Sequence, residues 1–255
     1  MRKHKNKIII GVVIAVILAF VFWYGGDAPG LRGLTPQTND TITTVQSENP
    51  APNPIEEAIT EDESTDAETK NKNEQYSKSN GMEINSSTGK DKYQTEPVPE
   101  GKPVPIEPED AVISDTELTC TLSVRCDTIL QNIAWLDKEK VDLVPKDGVI
   151  FAEKTVTFYE GESVFNLLVR EMKCNKIHME FENTPIYNSA YIEGIANLYE
   201  FDCGELSGWM YRVNDWFPNY GCSRYQLKAG DKVEWVYTCD LGADVGGNYS
   251  TRNGR

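Results

Sequence analysis

Lys154-Thr-Val-Thr-Phe-Tyr-Glu-Gly-Glu-Ser-Val-Phe-Asn-Leu-Leu-Val-Arg-Glu-Met172 changes its period partway along. Up to Tyr159 it reads as a strand. Gly161-Glu-Ser163 then turns the chain, and Ser163 is placed to cap a helix whose apolar stripe holds Val164, Phe165, Leu168 and Met172. Upstream, Glu117-Leu-Thr-Cys-Thr-Leu-Ser-Val-Arg-Cys126 alternates strictly, with Leu118, Cys120, Leu122, Val124 and Cys126 on one face of a half-buried strand. Asp127 or Thr128 is placed to cap a short helix through Trp135. Downstream, short β segments follow from Ile177 onward, and Lys232-Val-Glu-Trp-Val-Tyr-Thr238 is the last of them. Residues 116–255 therefore read as one α+β domain.

What precedes this domain differs in kind. Residues 1–25 carry Arg2, Lys3, Lys5 and Lys7 and no acid, and Ile8–Tyr24 is uncharged. At 1.5 Å per residue a helix of that length reaches about 25 Å, the short end of what crosses a bilayer core. Phe20, Phe22, Trp23 and Tyr24 crowd its far end, where rings favour the lipid–water interface. The expectation is a single-pass anchor in the cell membrane, with a cytoplasmic amino end and an extracellular carboxyl-terminal domain. A cleaved signal peptide, for which Gly25, Gly26 and Ala28 offer a cleavage site, is the alternative. Residues 26–115 hold 19 Asp and Glu against 7 Lys and Arg, with runs such as Pro97-Val-Pro-Glu-Gly-Lys-Pro-Val-Pro105. That composition predicts a disordered acidic stalk. The net charge of -15 argues against nucleic acid as a partner.

The common catalytic patterns are missing. His178 is the only histidine beyond the leader, and no Gly-x-Ser-x-Gly turn or Walker loop accompanies it. Its setting, Lys176-Ile-His-Met-Glu-Phe181, reads as a strand start with Ile177, Met179 and Phe181 inward. Cys174-x-x-x-His178 lacks the Cys-x-x-Cys spacing of a metal site, so no metal is expected and the chain does not read as an enzyme. Aromatic residues are denser: residues 181–237 hold 13 of the 25 Phe, Trp and Tyr. Alternation puts Trp209, Tyr211 and Val213 on one strand face, and Trp216, Phe217 and Tyr220 follow beside Asn214. Two readings stand. Either these rings plug one end of the sheet, or, with Tyr187 and Tyr191, they form a ligand platform.

Thr155–Leu168, Ser207-Gly-Trp-Met-Tyr-Arg-Val-Asn214 and Tyr225-Gln-Leu-Lys-Ala-Gly-Asp-Lys-Val-Glu-Trp-Val-Tyr-Thr238 together resemble the transcobalamin carboxyl-terminal-like family, a bacterial domain of unknown function. The resemblance covers about 150–240. Asn214-Asp215 stands where that family usually has Asn-Gly. The resemblance implies a β-grasp-like fold, a small sheet holding one main helix, and makes a corrinoid or similar flat cofactor the first candidate ligand. A structural or adhesive surface protein contacting protein or glycan is the alternative, and an extracellular hydrolase a more distant one. Six cysteines on an exported chain predict disulfides. In a β-grasp-like arrangement the first and last strands are neighbours, which pairs Cys126 with Cys239. Cys203 and Cys222 would then staple the Gly-Trp hairpin, leaving Cys120 for Cys174.

Overall fold

A computed structural model describes residues 60–247. All of them fall within one compact unit, Glu56–Arg255. The anchor reading of 8–24 and residues 26–59 of the stalk lie outside the described residues. Among the described residues, no helix is long and apolar enough to cross a membrane.

The domain is a sheet-rich α+β arrangement. Strand β1 (Glu117–Arg125) pairs antiparallel with β2 (Val149–Tyr159) and parallel with β7 (Lys232–Thr238), which pairs antiparallel with β6 (Gly208–Val213). The sheet order is therefore β2-β1-β7-β6, with the first and last strands at its centre. Strands β3 (Met179–Thr184), β4 (Ser189–Ile195) and β5 (Leu198–Tyr199) form a second, antiparallel sheet. The alternation in β1 buries Cys120, Leu122 and Val124, while Arg125 faces solvent.

Two helices accompany these sheets. Helix α2 (Asp127–Gln131) is shorter than the sequence suggests and has no side-chain cap: its cap position falls on Cys126, which leaves Thr128 inside the first turn, donating its hydroxyl to the Tyr237 carbonyl at 2.5 Å. Helix α3 (Val164–Cys174) begins with a reciprocal cap: Ser163 Oγ accepts from Asn166 N, and Asn166 Oδ1 accepts from Ser163 N. It buries Val164, Leu167, Leu168 and Met172. Phe165 sits one residue off this stripe, roughly 100° around the helix, and packs edge-to-face on Phe181 at 4.8 Å between centroids. Phe181 is accordingly 41% exposed rather than inward-facing.

The stalk expectation does not hold over 67–115. Helix α1 (Thr60–Ser79) is followed by a strap, residues 80–115, fastened to the sheet domain. Ser77 Oγ accepts from Val98 N at 2.8 Å, and Met82 and Val98 are buried. Arg224, 1% exposed, donates from Nη2 to Asp91 Oδ2 and Glu107 Oε1, each at 2.6 Å, and from Nη1 to Thr95 Oγ1 at 2.6 Å. Ile106 N donates to the Arg224 carbonyl at 2.9 Å. A segment poor in apolar residues is thus held by one buried guanidinium and single apolar pegs. Burying carboxylates is costly unless they are paired, and here they are.

Candidate functional site

Where the strap passes α3 it leaves a groove of about 450 Å³. Ile106, Pro108, Ala111 and Ile113 of the strap form one wall, and Asn183 to Ala190 of the β3–β4 hairpin form the other. The first turn of α3, with Ser163, Phe165 and Asn166, forms the floor together with Ser223 and Gln226.

Each wall has a structural cause. Gly161 at φ +92° lets the β2–α3 turn pass directly under the strap, so close that an added Cβ would lie 2.1 Å from the Val112 carbonyl oxygen. Ser114 N donates to the Glu160 carbonyl at 2.9 Å, fixing the strap's end. Asn188 closes the hairpin in a left-handed conformation, φ +48°, and donates from Nδ2 to Glu107 Oε2 at 2.7 Å and to Glu109 Oε2 at 2.9 Å. That donation holds the Glu109 carboxyl below the usual carboxylate range. Ser189 and Ser223 exchange bonds across the base: Ser223 N donates to Ser189 Oγ and Ala190 N to Ser223 Oγ, both at 3.0 Å. The lining is apolar carbon, hydroxyls and carboxamides, with no titratable side chain among it. Such a surface can hold an uncharged ligand by area and amide hydrogen bonds, and it has no acid or base to move a proton.

The aromatic residues singled out from sequence lie elsewhere and are mostly packed. Trp209, Tyr211, Trp216, Phe217 and Tyr220 are all at most 9% exposed. Trp209 donates from its ring nitrogen to the Leu198 carbonyl at 2.8 Å, and Tyr211 from its hydroxyl to the Tyr220 carbonyl at 2.7 Å. The strap covers the rest: the Tyr220 hydroxyl donates to the Pro103 carbonyl at 2.8 Å, and Asn219 Nδ2 to the Glu96 carbonyl at 3.0 Å. Burial lifts the Tyr211 and Tyr220 phenols well above their ordinary values. Asn214 is exposed but works in the turn, where Asn214 and Asp215 both take left-handed φ and Asn214 bonds Asp231 Oδ1 and Lys232 N. Tyr187 and Tyr191 are about half exposed, on the other sheet. The Tyr191 hydroxyl donates to Glu200, whereas Tyr187 sits in the hairpin tip beside the groove. The eight residues therefore do not form one platform.

All six cysteines are free thiols, so none of the expected bridges Cys126–Cys239, Cys203–Cys222 and Cys120–Cys174 is formed. Burial pushes the Cys120, Cys126, Cys203 and Cys222 thiols up to about 12. His178 is exposed and faces Glu180 at 3.3 Å. Among the described residues, no His, Cys, Asp and Glu group could hold a metal ion.

A second surface has no counterpart in the sequence reading. Trp135 is 64% exposed, and Phe201 and Leu241 are 61% and 50% exposed at left-handed φ of +66° and +45°. Their loops are tied together, Asp137 N to the Asp202 carbonyl and Leu241 N to the Leu206 carbonyl, both at 2.9 Å. Bulky residues kept at positive φ with their side chains outward are a costly arrangement.

Residues 161–239 match the family model described as Domain of unknown function (DUF4430). Among solved structures, the chain is similar to haptocorrin, crystallised in complex with Cbi, at 16% identity and a TM-score of 0.37, covering 50% of this chain and 26% of that chain. It is also similar to a candidate metal binding protein from Ruminococcus gnavus ATCC 29149, at 14% identity and a TM-score of 0.30, covering 48% of this chain and 96% of that chain. The chain spans about a quarter of the haptocorrin chain. No curated protein matches it.

Proposed function

We propose that this protein is a non-catalytic binding module with a β-grasp-like core, held outside the cell by its amino-terminal segment. It would receive an uncharged, amide-bearing ligand in the groove between strap and hairpin. The observation that carries this reading is the groove's lining, a concave apolar surface edged by Asn166, Asn183, Asn188 and Gln226 with no ionisable group. The basic leader and uncharged Ile8–Tyr24 support the location. A corrinoid is the first compound to try. Its amide-fringed rim suits carboxamide partners, and the resemblance at 155–168, 207–214 and 225–238 points the same way. A groove of about 450 Å³ would take an edge of such a molecule rather than enclose it.

Calorimetric titration of the chain with cobalamin tests this. Saturable binding that is lost in Ala111→Trp, which fills the groove, and kept in Trp216→Phe is the expected result. Binding that survives Ala111→Trp, or no binding by cobalamin or amide-capped peptides, overturns the groove reading. A second reading, a protein-contact module, is favoured by exposed Trp135 and Phe201. Its sign would be partner capture sensitive to Phe201→Ser and indifferent to Ala111→Trp.

A further inference from the structure

We propose that Cys203 and Cys239 are the pair that this protein joins as a disulfide. Cys203 lies in the turn after β5 and Cys239 one residue past β7. Their backbones are brought together by the β6–β7 ladder, whose last pairing sets Gly208 opposite Thr238. Bonds on either side then hold them. Cys203 N donates to Ser207 Oγ at 3.1 Å, Cys239 N to Asp244 Oδ2 at 2.7 Å, and Phe201 N to the Ser207 carbonyl at 3.1 Å. The two thiols lie close enough that each acts on the other. Both sulfurs sit over α2, with Cys203 Sγ donating to the Asn132 carbonyl at 3.5 Å and Cys239 Sγ at 3.8 Å from Thr128 Oγ1.

The other four cysteines have different surroundings. Cys222 Sγ donates to the Ala190 carbonyl at 3.5 Å, on the second sheet. Cys120 lies near Asp231 and Arg170, and Cys174 is exposed at the end of α3. Cys126 is buried at the position just before α2, where its N–H donates to the Gly148 carbonyl at 2.7 Å.

The step is a two-electron oxidation. Two S–H bonds are lost and one S–S bond forms, and an incoming small-molecule disulfide takes the two electrons and two protons and leaves as two thiols. Because both thiols are buried, exchange is fastest while the chain is folding.

The test is a peptide map of the whole chain, refolded in glutathione disulfide and digested without reduction. The expected result is a 203–239 linked peptide, with a thermal midpoint that reductant lowers by roughly 5–10 °C. The Cys203→Ser, Cys239→Ser double variant should melt at one temperature with or without reductant. A 126–239 or 203–222 link, or six free thiols after oxidation, overturns the proposal.

Discussion

Lys102 carries its ammonium 5.5 Å from the centre of the Trp216 ring, so a residue of the strap closes the aromatic end of the sheet. The same residue's carbonyl accepts from the Tyr76 hydroxyl at 3.0 Å, which ties α1 to that closure.

Arg224→Met should loosen the strap. It leaves Asp91 and Glu107 facing each other without the cation that pairs them. Breaking a buried pair on one side costs roughly 3–5 kcal/mol. Urea unfolding would register the loss, and limited proteolysis should find new cleavage between 80 and 107. An unchanged urea midpoint would show that the strap holds without its ion pairs.

Gly161→Ala should be among the more damaging single-methyl additions. The left-handed backbone alone costs about 1–2 kcal/mol for a residue with a Cβ. The methyl would also push on the Val112 backbone, which cannot swing aside as a side chain does. Thermal unfolding should fall, and hydrogen exchange at Ser114, whose N–H bonds Glu160, should quicken. Normal exchange at Ser114 would count against this close passage.

Glu234 gives the stability a dependence on acid. Burial raises its carboxyl, but Arg212, at 2.8 and 3.0 Å, and Lys232 outweigh burial, so its value in the folded protein lies below the ordinary one. A carboxyl lowered by folding stabilises at neutral pH, and that contribution fades as pH falls through the folded value. Stability should therefore decline below about pH 4.5, the usual range for Glu. Arg212→Gln should move the Glu234 titration upward, as carbon-13 NMR would record.

Thiol labelling of the reduced, folded protein should pick out one site. Cys174 is exposed, while the other five are buried. Thiolate is the reactive form, and a thiol at about 12 presents little of it at pH 8. Iodoacetamide should modify Cys174 fast and the others only on unfolding. Rapid labelling of Cys222 would contradict its burial.

Much of the sheet was legible because period-2 alternation reports one buried face directly, as in β1 and the latter half of β2, whereas β7 is buried on both faces and was legible as a short run of β-forming residues. The start of β2 at Val149 was not, since Glu153 and Lys154 interrupt the alternation where the strand runs exposed. The start of α3 was readable from Ser163 and its stripe, though Leu167 rather than Phe165 is the buried member. The strap was invisible to such reasoning. Met82, Val98 and Ile106 recur at no period, and their partners lie far along the chain. Arg224 is a single basic residue in Tyr220-Gly-Cys-Ser-Arg-Tyr225, and its role is set by carboxylates over a hundred positions away. The groove inherits that difficulty, because one of its walls is the strap. The aromatic cluster was visible as a cluster, but its cover was not.

The cover matters for how ligands are sought. A fragment begun at residue 116, the boundary suggested by composition, would lack Lys102 and Pro103 and lay bare Trp216 and the Tyr220 hydroxyl. Flat hydrophobic compounds and dyes would settle on that bared face in a screen, and the hits would be artefacts of the cut. Only a polypeptide that retains the strap offers compounds the surface the protein itself presents.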